Sequence, residues 1–185
     1  MSRLLLLAFV LFQVALPATG MSDQGVETWL KVDTEALTLT VMRGKSSEAT
    51  FENIAIGSNG VTRDKRQGDE RTPLGNFRIA DVRDSKRFVT FIAFDYPTPG
   101  HVRRACAQGD ISIADCERLD AALTAGAPTP QNTALGGYLG IHGTGEGDAT
   151  IHETFNWTNG CIALTNEQLA QLLPWVSPGM LVSVR

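Results

Sequence analysis

Hydrophobic and polar residues alternate along much of the first half of the chain, with the period of two that is typical of half-buried strands. Residues 37–42 alternate Leu and Val with Thr and Met, and a Gly-containing turn follows at residues 43–45. The pattern predicts a hairpin between residues 37–42 and 49–56, preceded by a short strand at 29–32.

Further alternating or apolar runs predict five more short strands. They lie at residues 77–82, 88–94, 138–142, 161–164 and 180–184. Helical spacing occurs at residues 112–123 and again after Thr165, where Thr165 and Gln168 have the capping-box pattern. The polar segments 61–76 and 143–155 are predicted to be loops. The pattern therefore predicts a mostly β protein with one or two short helices.

One segment interrupts the strand pattern. Residues 95–134 contain several prolines and glycines as well as the predicted helix. We interpret residues 100–134 as a variable insertion on the sheet domain. Loops of this length are usually functional or mobile, so the insertion is either a lid over a site or a surface elaboration.

The N-terminus has the pattern of an export signal. One cation is followed by an apolar run at residues 4–14 and by small residues at 18–20. This order predicts a secretory signal peptide over residues 1–20, with an uncleaved N-terminal anchor as the alternative. The apolar run is too short to span a bilayer, so no stable membrane span is expected after cleavage. A single domain over residues 21–185 would remain.

Export changes the interpretation of the three cysteines. Oxidising compartments favour disulfides, and Cys106 and Cys116 lie ten residues apart in the insertion. We consider them a disulfide candidate, with two reduced, buried cysteines as the alternative. Cys161 is left over, and an odd cysteine in an exported protein is either an intermolecular linker or a reactive thiol.

Composition and charge exclude some classes of protein. The 185 residues are 43% hydrophobic, which is enough for a sizeable core and argues against global disorder. Sixteen Lys and Arg against twenty Asp and Glu give a net charge of −4. A strongly basic surface is thereby excluded, and no nucleic-acid partner is expected.

The candidate chemistry involves Cys161 and His142, which both end predicted strands and abut glycines. If the two ends meet at one rim of a sheet, the imidazole can take the thiol proton. The N–H groups of Gly160 and Cys161 could then face a developing oxyanion. An activated thiol of this kind is expected to react with iodoacetamide well below pH 8. The alternative is a buried cysteine and a strand-end histidine that never meet.

The spacing of these residues resembles a known family motif. His142 is followed by fifteen residues and then by Thr158-Asn159-Gly160-Cys161-Ile162. Upstream residues that match the same family's loop are Lys65, Gly68, Asp69, Arg71, Thr72, Pro73 and Gly75. The chain therefore resembles the L,D-transpeptidase catalytic domain, also called the YkuD domain, over about residues 28–185.

The resemblance implies a β-sandwich or barrel-like fold and a cysteine-dependent reaction. Cys161 would attack the carbonyl at the L-centre of meso-diaminopimelate in a peptidoglycan stem peptide and form a thioester. His142 would serve as base and then acid, oriented by the backbone carbonyl of Gly143. The N–H groups of Gly160 and Cys161 would form the oxyanion hole. The resemblance implies no metal and no organic cofactor, and a location in the periplasm or cell-wall space.

Two positions depart from the family pattern. Asn159 and Ala163 stand where most members have His and either Arg or Asn. The variant resembles a branch that includes hydrolases acting on peptidoglycan with an attached lipoprotein. Three functions therefore stay open: an L,D-transpeptidase, a hydrolase on the same fold (L,D-carboxypeptidase, endopeptidase or lipoprotein-releasing amidase), or a non-catalytic peptidoglycan-binding module. A wall-attached lipoprotein is a partner only under the second.

Other residues are candidates for contact with substrate. They are Thr158, Asn159, Arg71, Tyr96 and Trp157. Arg71 has the alternative of an ion pair with Asp69, and Trp157 that of a core position. Tyr138 is interpreted as a core residue, His101 as solvated, and His152 as a loop residue near the mouth of the site.

Overall fold

One eight-stranded sheet organises the protein, which a computed structural model describes over residues 26–185. The predicted signal peptide, residues 1–20, lies outside the described residues. The strands are β1 (Thr28–Asp33), β2 (Thr38–Arg43), β3 (Ser46–Glu52), β4 (Val61–Thr62), β5 (Thr72–Pro73), β6 (Gly75–Ser85), β7 (Val89–Phe94), β8 (Gly140–Gly143), β9 (Ile162–Leu164) and β10 (Leu181–Val184). The sheet order is β3-β2-β1-β10-β6-β7-β8-β9, and β4 pairs with β5 separately.

Helices fill the connections of this sheet. They are α1 (Pro99–Gln108), α2 (Ile113–Thr124), α3 (Ala149–Thr154) and α4 (Asn166–Leu172), and a 3-10 turn follows at Leu173–Trp175. The predicted mostly β class is confirmed, as are the Ser112-capped helix and the Thr165–Gln168 capping box. Within residues 26–185 no helix is long and apolar enough to cross a bilayer.

The sequence pattern does not predict α1 and α3, because the proline and glycine residues near them are typical of loops. Pro99 lies in the first turn of α1, where a backbone N–H would have no partner within the helix, so proline is tolerated there. Gly109 caps the other end of α1 with φ 69°. In α3, the Asp148 side chain accepts from Thr150 N at 2.8 Å and so starts a helix inside the predicted glycine-rich loop.

The sheet bends along β6 and nearly closes on itself. The start of β6 pairs with β10, and its later part pairs with β7 after a bulge between Ile79 and Asp81. At the far edge, Ala55 and Ala163 exchange backbone hydrogen bonds of 2.9 and 2.8 Å. The chain after β3 therefore covers the free edge of β9, which gives the barrel-like form.

The core fills the space inside this curved sheet. Residues of β1 and β2 alternate as predicted, with Leu30, Val32, Leu39 and Val41 all at 0% exposure. Truncating one such side chain to Ala typically costs about 2–5 kcal/mol. The β8 strand lies between β7 and β9, so the segments bearing the candidate cysteine and histidine are neighbours at one end of the sheet.

Candidate active site

Sheet register puts the candidate cysteine and histidine on one face. β8 and β9 are parallel, with His142 opposite Ala163. Cys161 lies two residues before Ala163, so its side chain points to the same face as that of His142. Both residues line one cavity of about 430 Å³. The long connection that a parallel pair requires is supplied by α3 and its flanking loops.

The His142 imidazole is held rigidly by its surroundings. It is 3% exposed and stacks on Phe88, with 4.0 Å between the ring centroids. Its Nδ1 donates to the Gly143 carbonyl at 2.8 Å, so Nε2 is left as the proton acceptor. Burial lowers the pKa of His142 below its usual value, against the effect of the Gly143 hydrogen bond. His142 is therefore neutral at pH 7 and able to accept a proton.

The Cys161 thiol is protonated in the resting site. Burial raises its pKa to about 11, although a backbone hydrogen bond from Gly140 and the charge of Lys65 act in the opposite direction. The thiol donates to the Tyr138 carbonyl oxygen at 3.5 Å. Desolvation of the thiolate outweighs its favourable neighbours and so acts against the predicted reactivity well below pH 8.

Thr158 shapes the turn that carries the nucleophile. Its hydroxyl donates to the Cys161 carbonyl at 2.6 Å and accepts from Gly160 N at 3.1 Å, and the residue is 3% exposed. Thr158 is therefore a turn-forming residue and not a free ligand for substrate. The Gly160 N–H is engaged in the same turn, which corrects its assignment to an oxyanion hole. The Cys161 N–H stays the candidate donor.

Gly160 is required by a close approach of two backbones. Its φ is +125°, and a Cβ there would lie 2.5 Å from the Arg71 carbonyl oxygen and 3.2 Å from Lys65 Nζ. No other residue type fits this position without displacing the Lys65–Arg71 loop. The upstream loop with Lys65 and Arg71 thus lies in contact with the turn that carries Cys161, directly behind it.

The substrate-binding candidates separate into cavity-lining and structural residues. Trp157 and the exposed Asn159 line the cavity with Cys161. Trp157 also approaches His142 edge-on, with 5.8 Å between ring centroids. Tyr96, by contrast, is 1% exposed and donates its hydroxyl to the Leu135 carbonyl, so it belongs to the core.

Arg71 is not the ion-pair partner of Asp69, and its role as a ligand for a substrate carboxylate stays a prediction. Its backbone N–H donates to Asp69 at 2.9 Å, whereas its exposed side chain forms no ion pair among the described residues. The Asp69 carboxylate pairs with Lys65 instead. An exposed guanidinium remains available for contact with a large polymer, but not within the cavity of Cys161.

The two other histidines are buried in the structure. His101 is 6% exposed and stacks on Phe77, so it is not solvated. His152 belongs to α3, is 5% exposed, and accepts the Trp157 indole N–H at Nδ1 over 3.2 Å. It thus supports a wall of the cavity. Within residues 26–185 no three His, Cys, Asp or Glu side chains converge as a metal site.

Tyr138 is the site residue that sequence reasoning missed. It is 69% exposed, has a φ of +54°, and lines both the cavity of Cys161 and a neighbouring cavity of about 340 Å³. The signal was the pair Gly136-Gly137 directly before it, which interrupts a strand and presents the ring outward.

Cys106 and Cys116 are joined by a disulfide, with 5.8 Å between their Cα atoms. The bridge links α1 to α2 within the insertion, and Cys161 is the free cysteine among the described residues. No thiol of the insertion is thus available to compete with Cys161.

Three solved structures illustrate the similarity of fold. The chain matches the structure of Bdellovibrio bacteriovorus Bd1075 with a TM-score of 0.56, 13% identity, and coverage of 89% of this chain and 50% of that one. It matches the helical cell shape determining protein Pgp2 from Campylobacter jejuni with a TM-score of 0.55, 19% identity, and coverage of 88% and 51%. An Enterococcus faecium L,D-transpeptidase C442S mutant gives a TM-score of 0.50, 14% identity, and coverage of 86% and 50%.

These likenesses concern the fold, and the chain spans about half the length of each of these proteins. No curated protein sequence matches the chain significantly. The family model described as the L,D-transpeptidase catalytic domain, YkuD, matches residues 27–184, which is nearly the whole described chain. The protein therefore belongs to the YkuD family of L,D-transpeptidase catalytic domains.

Proposed function

We propose that this protein is a cysteine-dependent L,D-transpeptidase that acts on peptidoglycan stem peptides at the L-centre of meso-diaminopimelate. The observation that carries the proposal is the register of β8 and β9, which directs Cys161 and His142 into one cavity. A non-catalytic binding module would have no use for this pair, and a free thiol in an oxidising compartment is a liability. The predicted signal peptide would deliver the domain to the cell-wall space.

Acylation begins from two neutral groups. The Cys161 sulfur attacks the substrate carbonyl while its proton passes to His142 Nε2, so no separately formed thiolate is required. The carbonyl oxygen gains the negative charge and accepts the Cys161 N–H. The protonated His142 then gives its proton to the leaving amine of D-alanine. The C–N bond breaks and a thioester to Cys161 is left.

The second half-reaction reverses the roles with a new acceptor. His142 takes a proton from the attacking amine, the amide bond forms, and the Cys161 sulfur leaves and is reprotonated. The cavity of Cys161 adjoins a second cavity, and the two share Tyr138 and Asn159, whereas Cys161 lines the first alone. The second cavity offers space beside the nucleophile for an acceptor peptide, and this space supports transpeptidation.

Products of a muropeptide reaction test the proposal. Purified protein, with Cys161→Ala as control, is incubated with disaccharide-tetrapeptide and analysed by mass spectrometry. Dimers that have lost one D-alanine, absent from the control, are expected. Tripeptide and free D-alanine without dimers would assign the hydrolase alternative. The assay is then repeated on wall carrying attached lipoprotein, because Asn159 and Ala163 resemble the hydrolytic variant. No Cys161-dependent product from either substrate would contradict both enzymatic functions.

A further inference from the structure

A buried cation lies behind the nucleophile turn and is not used by the mechanism above. Lys65 is 4% exposed, and its ammonium pairs with the Asp69 carboxylate. The same ammonium donates to the Asn159 carbonyl oxygen at 3.2 Å. Desolvating a charged pair is costly, and such pairs are often replaceable by apolar residues with no loss of stability. A role besides stability therefore has to be considered for this one.

Lys65 is fixed in place by a rigid anion. Asp69 accepts hydrogen bonds from the backbone N–H groups of Arg66 at 2.8 Å and Arg71 at 2.9 Å, in addition to the Lys65 ammonium. Burial alone would raise the pKa of Asp69, but these three donors lower it, so the carboxylate stays ionised. The ammonium therefore cannot leave the turn without abandoning its counter-ion.

The ammonium also contacts the residue directly before the nucleophile. A Cβ on Gly160 would lie 3.2 Å from Lys65 Nζ, which shows how closely the cation packs on this backbone. Lys65 lines the neighbouring 340 Å³ cavity and is not among the residues that line the cavity of Cys161. It acts from behind the turn and does not face the reacting bond. Its charge lowers the pKa of Cys161, against the larger effect of burial.

We propose that Lys65 serves Cys161 in two ways, as a positioning residue and as a buried positive charge that supports the sulfur as a nucleophile. Its ammonium fixes the Asn159 carbonyl and thereby the peptide plane that leads into Gly160 and Cys161. Its positive charge also stabilises the negative charge that develops on the sulfur during attack. The inference deepens the proposed function and rests on Cys161 being its nucleophile.

A purely structural role for Lys65 predicts a change of the opposite sign. If the ammonium only held the turn together, its loss would loosen the turn and admit water to the thiol. Solvation would lower the thiol pKa and speed its alkylation. If the charge itself acts on the sulfur, its loss raises the thiol pKa and slows alkylation. The direction of the change therefore separates the two roles.

The experiment measures the rate of Cys161 alkylation by iodoacetamide between about pH 7 and pH 9.5. Cys161 is the free cysteine of the described chain, so intact mass reports on it directly. In Lys65→Met, Cys161 is expected to be alkylated about tenfold more slowly than in the wild type at each pH, which corresponds to a thiol pKa higher by about one. Lys45→Met, an exposed lysine in the β2–β3 turn, is the matched control and should leave the rate unchanged.

A double variant controls for misfolding and for an effect of the Asp69 carboxylate when it is left without its counter-ion. Lys65→Met with Asp69→Asn removes the two charges together and should alkylate as slowly as Lys65→Met. A wild-type rate in the double variant, or an unchanged or faster rate in Lys65→Met, would overturn the inference. The assay needs no peptidoglycan, so inactivity towards muropeptides would count against the proposed function alone.

Discussion

The nucleophile turn borders the cavity of Cys161, the helical insertion borders the neighbouring cavity, and the two regions are held by different means. The turn at residues 158–161 is fixed by close contacts. The Thr158 hydroxyl and the buried Lys65 ammonium form hydrogen bonds with its backbone, and no larger residue can replace Gly160. The insertion is fixed by local helix caps, by the disulfide between α1 and α2, and by exposed ion pairs of Asp110 with Arg66 and of Arg104 with Asp64. The reacting cysteine therefore lies in the region whose residues are held most tightly by their neighbours.

The Gln131 side chain connects the insertion to the rim of the site. Gln131 donates to the Tyr96 carbonyl at 2.8 Å and accepts the Tyr138 N–H at 2.7 Å. It thereby supports Tyr138 in its left-handed conformation at the rim of the cavity. The contrast teaches that loss of a contact in the turn should affect chemistry, whereas a change in the insertion should affect stability or substrate binding.

Removing either reacting group should have the largest effect. Cys161→Ala is expected to abolish muropeptide turnover, because no other thiol lines the cavity. His142→Gln should lower kcat by about a thousandfold, since a positioned general base contributes roughly 10²–10⁴. Both variants should keep the wild-type melting temperature within a few degrees. Retained turnover in Cys161→Ala would refute the assignment of the nucleophile.

A matched pair of glycine substitutions compares the two regions directly. Gly160→Ala should destabilise the protein by about 3 kcal/mol or more, because a Cβ would lie 2.5 Å from the Arg71 carbonyl oxygen at a φ of +125°. Gly126→Ala, at the end of α2, also has a positive φ of +62° but meets nothing within 4 Å. It should cost only about 1–2 kcal/mol. Urea denaturation measures both, and equal costs would show that the turn is not tightly packed.

Opening the disulfide should weaken the insertion without stopping the reaction. Replacing Cys106 and Cys116 by Ser together is expected to cost about 2–3 kcal/mol of stability, through greater freedom of the unfolded chain. Turnover by the folded variant should stay within about twofold of the wild type. A large loss of kcat at a temperature where the variant is folded would instead make the insertion part of the catalytic machinery.

The smallest effect is expected from the contact between the insertion and the rim. Gln131→Ala releases Tyr138 from its hydrogen bond and should raise KM by about threefold with kcat nearly unchanged. Asn132→Ala, an exposed neighbour whose side chain bonds Arg118 instead, is the control. A fall in kcat with unchanged KM would mean that Tyr138 acts on the thiol through its carbonyl.

The sequence alone predicts the class of fold and the pair Cys161 and His142, because both depend on patterns of residues along the chain. Alternation predicts β1 and β2, and the fixed spacing between His142 and Cys161 identifies the motif before any contact is known. The upstream Lys65 and Asp69 were likewise visible as residues of a family loop. Their position behind Gly160 was not, because it depends on how two distant segments pack.

The errors have the same origin. Tyr96 is a sequence-based candidate for substrate contact, but it is buried against Phe77, with 6.3 Å between the ring centroids. Tyr138 was assigned to the core because its strand looks apolar, whereas a positive φ turns it outward. The thiol was expected to be activated in the free protein, and only the burial of Cys161 reveals a raised pKa. Burial is a tertiary property that no single segment encodes.

A Cys161 thioester is directly visible by mass spectrometry. The protein is mixed with disaccharide-tetrapeptide, quenched in acid within seconds, and its intact mass is recorded. We expect an adduct whose mass equals the muropeptide less D-alanine, located on Cys161 by peptide mapping. An unmodified protein mass alongside continuing product formation, or the same adduct on Cys161→Ala, would contradict a Cys161 thioester.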